Sequence, residues 1–520
     1  MVDPPSSKNI EASRLGIPGD GGKIQPVQPE LALLPRKPTT PVGKLGYYVR
    51  QIEQYLVGYN LEARGIQRVH PSESQPLSRL SYIQAFRLWF SINLAANNIS
   101  LGMLAPVIFA LSFRDAALCA VFGSILGSIP VAHITTFGPL SGNRTLVFAR
   151  YTFGWWPSKI LVILNMIVLI GYSLIDLVIA GQILSAVGKN HLSIIVGIII
   201  VGILCWVIST FGIAIFHAYQ RYAWLPQLIA VSILYGVSSS HYDLATTTQG
   251  DKLTRIGNRI SFFSLCFSAA ITYSGISADF FVYYSPLTSC PALFSASLLG
   301  LTLSFTFALI AGIGLASGIS TTESYATAYD TSQGALIVSG LSPLGNFGKF
   351  LSVVILLSLV ANTIGPSYSI GIDFQLLARF AQKVPRFIWN TCGVIIYTVC
   401  ALAGRNNLAE IFTNFLALMG YWVAIWVVVQ LEEQVLFRRR AGGRTQAEDG
   451  ESAGVSARMA DRGLGYDWTA WNQQDKLPVG LAALAAFLVG WAGAILCMAQ
   501  VWYIGPIASR VGEHGADVSV

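Results

Sequence analysis

From about residue 84 onward the chain alternates between long apolar blocks and short polar ones. Eleven blocks stand out, at about 84–112, 115–137, 158–187, 191–216, 220–239, 259–284, 292–317, 347–377, 385–403, 408–431 and 479–503. A helix crossing the hydrocarbon core needs about 20 mostly apolar residues, so each block predicts one membrane-spanning helix. They are called spans one to eleven below. Residues 1 to about 45 are rich in Pro, Gly and Lys without a sustained apolar run, and residues 46–80 mix aromatics with charges, which predicts a short interfacial helix. No basic segment followed by an apolar one opens the chain, so span one is expected to serve as the insertion signal. The tail from Ser509 to Val520 is polar and too short to span.

Ten of the spans divide into two sets of five, 84–239 and 259–431, and the first span of each set is interrupted. Span one contains Asn93, Asn97, Asn98, Ser100 and Gly102; span six contains Thr272, Tyr273, Ser274, Gly275, Ser277 and Asp279. Unwound backbone inside a bilayer is tolerated where it is packed in protein or lines a wet cavity. Matched interruptions in two halves point to a transporter's binding site, with Gly102 and Gly275 as expected break points. The alternative is that these small residues only let helices pack closely.

The third span of each set carries the other polar positions. In span three Tyr172 and Asp176 are four residues apart and share a face. A mid-membrane carboxylate costs about 2.5–3.5 kcal/mol on insertion scales, so Asp176 needs a partner, a proton or a cavity. It serves either a site or a hydrogen bond between helices. Span eight reads Asn362, Thr363, Ile364, Gly365, Pro366, Ser367, Tyr368. Gly365 and Pro366 are expected to break that helix and free carbonyls beside the Asn amide, unless they only kink it for packing. Asp279, at the end of the span-six interruption, either caps the following helical segment or takes part in cation coupling.

Composition narrows the class. The chain is 53% hydrophobic and only 11% charged, against about 25% charged in a soluble domain, which excludes a soluble enzyme of this size. The formal net charge of +7 suggests nucleic acid only until the basic residues are located. Arg144, Arg150, Arg221, Arg379, Lys383, Arg386 and the Arg438–Arg440 cluster fall in loops that are cytoplasmic if the N-terminus is inside, so the positive-inside rule accounts for them. The segment around 434–477 is then a cytoplasmic, mobile linker. Seven Cys, mostly within apolar runs and without a close CxxC pair, read as buried small hydrophobes, not as a disulfide framework or a metal site. His133 and His217 are isolated and read as structural. No nucleophile–base pair, metal-ligand set or phosphate-cradling loop is legible, so neither an enzyme nor a resident cofactor is expected. Asn amides, a carboxylate and Tyr rings together suit a flat, hydrogen-bonding heterocycle, and a titratable Asp at such a site lets proton and substrate binding reinforce each other.

Several stretches then show a resemblance. Phe137, Gly138, Pro139, Ser141, Gly142, Asn143, Arg144 and Thr145 after span two, Gly171-Tyr172 with Gly181-Gln182, and Ala278-Asp279-Phe280-Phe281 resemble fungal purine-cytosine permeases, of the nucleobase:cation symporter family. So do Asn414-Phe415 with Gly420-Tyr421-Trp422, Leu477-Pro478 with Gly480, and Trp502-Tyr503 with Gly505-Pro506, so the resemblance runs from about residue 60 to 507. It implies an all-α polytopic fold with a LeuT-type 5+5 inverted-repeat core and peripheral helices. It also implies proton-coupled import of cytosine and purine bases across the plasma membrane, with the coupling ion H+. The base is expected between spans one, three, six and eight. By motif, the span-one polar position falls on Asn97, the span-three aromatic (often Trp) on Tyr172 and its Asn partner on Asp176. The span-six stacking aromatic falls on Tyr273, and the span-eight Asn-Asn-Ile-Pro motif on Asn362, Thr363, Ile364 and Gly365. Asp176 and Asp279 are the expected proton-coupling carboxyls. Span eight departs from the motif, with Thr363 for the second Asn and the proline displaced to Pro366, which leaves vitamin B6, uracil, allantoin or thiamine as alternative substrates. The family normally has a twelfth span, which this sequence does not show; a non-transporting sensor or inactive paralogue is the further alternative. The expected organisation is a cytoplasmic tail over 1–80, repeats over 84–239 and 259–431, a linker over 432–478, and a peripheral helix with tail over 479–520. The expected partners are the lipid bilayer and a small base, with no nucleic acid.

Overall fold

The computed structural model describes residues 64–189, 191–211, 222–438, 466–500 and 502–511. Most of the expected 1–80 tail, part of the interfacial helix over 46–80, His217, residues 439–465 of the linker and the last nine residues lie outside the described residues.

The apolar blocks become helices close to where their composition puts them. Among the described residues seven are long and apolar enough to cross a membrane by length and composition, including Ser158–Val187 (span three), Cys290–Ser320 (seven) and Ser342–Leu377 (eight). Spans four (Ile194–Phe211), five (Trp224–Ser238) and eleven (Leu481–Cys497) are shorter. After span eleven a two-residue-per-strand hairpin pairs Ala499 with Ile504 and Gln500 with Tyr503, ending that span before the expected 503.

Two sets of four helices are visible in the packing. Spans one, two, six and seven lie against one another, and spans three, four, eight and nine form a second set. Span five touches both sets, and span eleven packs on span ten. Two short helices absent from the sequence reading, Glu323–Thr331 and Gln333–Gly340, follow span seven, and the second lies on span three. Their nine and eight residues are too short to stand out from a polar loop.

Span one is broken as expected, but not at Gly102. Its halves are Leu80–Asn93 and Ala96–Val107, joined through an extended Ala95 (φ −128°, ψ 155°). The freed backbone groups find side chains: Asn98 Nδ2 donates to the Asn93 carbonyl (2.7 Å), Ala96 N–H to Ser358 Oγ (3.1 Å), and Asn362 Nδ2 to the Ile92 carbonyl (2.8 Å). Buried backbone groups need such partners, and the Asn side chains supply them locally. Gly102 sits inside the second helix, where its missing Cβ admits the backbone of span seven.

Span six runs as an α-helix over Lys252–Ile271, then tightens to 3-10 geometry over Thr272–Phe280. Thr, Ser and Gly are weak helix formers, and Gly275 stands where a Cβ would lie 2.0 Å from Asn165 Oδ1 of span three. Span eight corrects the other expected break: Gly345–Leu377 is one continuous helix with Pro366 inside it. Proline removes one hydrogen bond, the one to the Asn362 carbonyl, while packing on span three holds the helix together.

The end of the bundle that carries the loop between spans two and three is tightly built. Val69 N–H donates to the Gly142 carbonyl and Arg68 Nε to the Ser141 carbonyl (both 2.8 Å). The returning segment from Tyr466 packs its aromatics on Phe137, Phe148, Tyr151 and Trp155. The described end of the expected mobile linker is therefore fixed. Arg150 donates to the Trp471 carbonyl (3.1 Å), and its burial pushes the guanidinium down to about 10. Of the Cys expected to be buried, Cys205 and Cys266 are, while Cys119, Cys290, Cys392, Cys400 and Cys497 are half-buried; His133 Nε2 meets Gln434 Oε1 at 3.0 Å.

Candidate functional site

The interruptions of spans one and six face each other across spans three and eight, which brings Asn97, Tyr172, Asp176, Tyr273, Asn362 and Thr363 into one cluster, each 0–6% exposed. Asn362 is its hub. Its amide nitrogen donates to the Ile92 carbonyl and to Tyr273 Oη (2.9 Å), and its oxygen accepts from Asn97 Nδ2 (3.4 Å). One side chain of span eight thus holds the interrupted stretches of both spans one and six.

Asp176 and Thr363 form the second contact. Thr363 Oγ1 donates to Asp176 Oδ2 at 3.0 Å, and the Asn97 amide lies beside the same carboxyl. Asp176 Oδ1 has no protein hydrogen-bond donor. Leaving a buried acceptor without a partner costs about 1–3 kcal/mol or more, and at Asp176 a ligand donor can supply that partner.

The aromatic walls are tied to span six. Tyr172 Oη donates to the Ala269 carbonyl (2.9 Å) and meets Thr272 Oγ1 (2.7 Å), and its ring centre lies 5.6 Å from that of Tyr273. Trp89 was not singled out in the sequence, where one more Trp reads as an interfacial aromatic. It is fully buried and packs edge-on against Tyr273 and Phe280, at 6.1 and 5.9 Å. Its place beside the site follows from the bend in span one, which composition does not reveal.

Asp279 stands apart. It ends the 3-10 stretch, where its carboxylate accepts from Thr145 N–H (2.7 Å), Thr145 Oγ1 (3.0 Å) and Ser369 Oγ (3.1 Å), while Arg144 donates to its carbonyl (2.8 Å). It caps the short turn Thr145–Phe148 in the loop between spans two and three, not a second half of span six. Gly365 faces the Phe280 ring, and neither it nor Pro366 breaks a helix. A cavity of about 220 Å³ opens elsewhere, between Arg68, Leu140, Tyr284 and Trp468, and its lining includes none of the six central residues.

A family model described as permease for cytosine/purines, uracil, thiamine, allantoin matches residues 79–454. The chain belongs to this permease family. The permease is 33% identical to the vitamin B6 transporter TPN1 of Saccharomyces cerevisiae over 489 residues, covering 88% of this chain and 84% of that one. It is 31% identical to the purine-cytosine permease fcyB of Emericella nidulans over 470 residues, covering 90% and 87%. Among solved structures it resembles the inward-facing conformation of Mhp1 (TM-score 0.57, 14% identity, 84% of this chain and 90% of that one). It also resembles closed Mhp1, a nucleobase-cation-symport-1 family transporter, with bromovinylhydantoin bound (TM-score 0.56, 15% identity, with the same coverage). The permease is therefore a multi-pass membrane transporter of LeuT-type fold, and not an enzyme.

Proposed function

We propose that this permease imports a hydroxylated pyridine of the vitamin B6 class across the plasma membrane, driven by protons, with its N-terminus in the cytoplasm. The observation that carries this reading is the unpartnered Oδ1 of Asp176 within a cluster of Tyr rings and Asn amides. A carboxylate is the matching partner for a protonated ring nitrogen, as in the pyridinium partner of pyridoxal enzymes, and charge-assisted hydrogen bonds are the strong ones. An amide, which the purine-cytosine motif leads one to expect at this position, both donates and accepts, and so suits a neutral base better. The 33% identity to a vitamin B6 transporter supports the same choice. In this reading Thr363 and Asn362 would meet ring hydroxyls, and Tyr172 and Tyr273, packed against each other at 5.6 Å, would form one aromatic wall beside the ring. Import of cytosine and purines is the second reading, favoured by the amide hub at Asn97 and Asn362 and by the similarity to purine-cytosine permeases. Alternating access would come from movement of one four-helix set against the other around this cluster.

The test is uptake of labelled pyridoxine and cytosine by yeast lacking its own carriers for both, at acid and neutral external pH, with surface protein quantified. Saturable pyridoxine uptake, greater at acid pH and weakly inhibited by cytosine, is the expected result. Cytosine uptake that pyridoxine does not inhibit would favour the second reading. Surface protein that carries neither compound would sink both.

A further inference from the structure

Below the central cluster, toward the end that carries the loop between spans two and three, the same two helices meet through a second carboxyl. Asn165 of span three donates through Nδ2 to Asp373 Oδ2 of span eight at 2.7 Å, and Asp373 is 2% exposed. Asn165 and Asp176 are eleven residues apart in the sequence, and so are Asn362 and Asp373. Eleven residues make about three turns and about 16 Å of helix, so both pairs lie on one face of their helix. Asn362, Pro366, Ser369 and Asp373 follow one another at spacings of four, three and four, which draws a stripe down span eight from the site toward that end.

The stripe passes Asp279. That carboxylate accepts from three donors, with Arg144 at its carbonyl, so it is already occupied as a joint between span six, the loop and Ser369. Asp373 accepts a hydrogen bond from Asn165, and one turn before it on span eight Ser369 donates to Asp279, so the two carboxyls lie on neighbouring turns of the same contact. Neighbouring carboxyls make the seat of a proton on one depend on what the other is bonded to. Movement of span six relative to span eight would part Ser369 from Asp279, and so change what Asp373 faces. The other ionisable or charged groups near this level are Arg144, whose guanidinium is 5.4 Å from the Tyr368 ring centre, Tyr368 itself, and Arg386 of span nine, 4.2 Å from the same ring.

We propose that Asp373, not Asp279, is the inner coupling carboxyl of the permease, positioned by Asn165. The inference rests on the transport reading above: with Asp176 engaged by the substrate's ring N–H, the coupling proton needs another seat. In the inward-bound step a hydronium ion from extracellular water gives up its proton, one of its O–H bonds breaking as an O–H forms on an Asp373 carboxylate oxygen, and that O–H breaks in turn to release the proton to cytoplasmic water once span six moves away. Asp373 then returns as carboxylate.

The experiment uses the purified full chain in proteoliposomes and labelled pyridoxine, with cytosine in parallel. Two rates are compared: net accumulation driven by a pH gradient, and exchange at equal internal and external concentration, which moves no net proton. For Asp373→Asn, gradient-driven accumulation is expected to fall by about 5- to 150-fold, the range of a coupling free energy between two sites, while exchange stays within about twofold. Asp279→Asn is expected to lower both rates together, as the loss of a joint would. Accumulation by folded Asp373→Asn equal to that of the parent protein would overturn the proposal, as would accumulation and exchange falling in parallel. Should Asp373→Asn not elute as a folded species, Asn165→Leu decides: a changed pH profile of accumulation with exchange retained supports the role, and an unchanged profile overturns it. A parent protein that accumulates neither compound would refute the transport reading itself.

Discussion

Asp176→Asn is expected to lower pyridoxine uptake by about 10- to 150-fold at equal surface level, the equivalent of losing a hydrogen bond to a charged group worth about 1.5–3 kcal/mol. The replacement keeps the shape of the side chain and an oxygen that can still accept from Thr363 Oγ1, now 3.0 Å from Asp176 Oδ2. The helix contact between spans three and eight therefore survives, and the effect belongs to the ligand. The same variant restores the amide that the purine-cytosine motif carries at this position, so cytosine uptake is expected to rise relative to pyridoxine. Thr363→Val is the companion change. It removes the donor and leaves the carboxylate, and it should weaken pyridoxine uptake less than Asp176→Asn does. Dose-response curves for both compounds, with surface protein measured by an N-terminal tag, decide the matter. Equal and mild effects on both substrates would return Asp176 to a structural role and reopen the choice of substrate.

The legibility of this site in the sequence was uneven for physical reasons. Apolar block length specifies a membrane helix almost by itself, because unpaired backbone is so costly in lipid; the spans were readable to within a few residues for that reason. The central residues were readable because polar side chains inside such blocks are rare, and Asn97, Asp176 and Asn362 do converge. The breaks were harder to place. Gly102 and the Gly365-Pro366 pair carry the local signature of a break, yet tertiary packing keeps both helical, while the real interruption falls at Leu94 and Ala95, which have no such signature. What unwinds span one there is the set of side chains that take over its backbone bonds, and two of them, Ser358 and Asn362, are more than 260 residues away in sequence. Asp373 escaped for a similar reason. Near the end of an apolar block a carboxylate reads as an interfacial residue, and only the eleven-residue echo with Asn165 shows it to be a second rung between the same helices.

Gly312→Ala is expected to cut the yield of folded permease by about tenfold or more. In the structure spans one and seven touch backbone to backbone. A Cβ at Gly312 would lie 1.8 Å from the Ile99 carbonyl oxygen, and a Cβ at Gly102 would lie 2.1 Å from the Leu309 carbonyl oxygen. Neither neighbour is a side chain that can swing away, so the helices themselves must separate by more than an ångström. Inserting a methyl into a well-packed interior costs about 1–3 kcal/mol, and more where only backbone can yield. In a bilayer, where lipid tails are as apolar as the helix surfaces, close packing of small residues is a main source of helix association, so the loss is not offset by burial elsewhere. The damage reaches the site, because Asn97 lies on the same helix as Ile99 and Gly102, and its contact with Asn362 already measures 3.4 Å. Fluorescence-detected size exclusion of tagged protein should show the folded peak of Gly312→Ala and Gly102→Ala falling by about tenfold or more, the counterpart of at least ~1.4 kcal/mol. Gly236→Ala, in span five with nothing within 4 Å of a new Cβ, should leave the peak unchanged. A folded, transporting Gly312→Ala protein would mean that spans one and seven are not packed this closely in the membrane, and the position of Asn97 relative to Asn362 would then have to be redrawn.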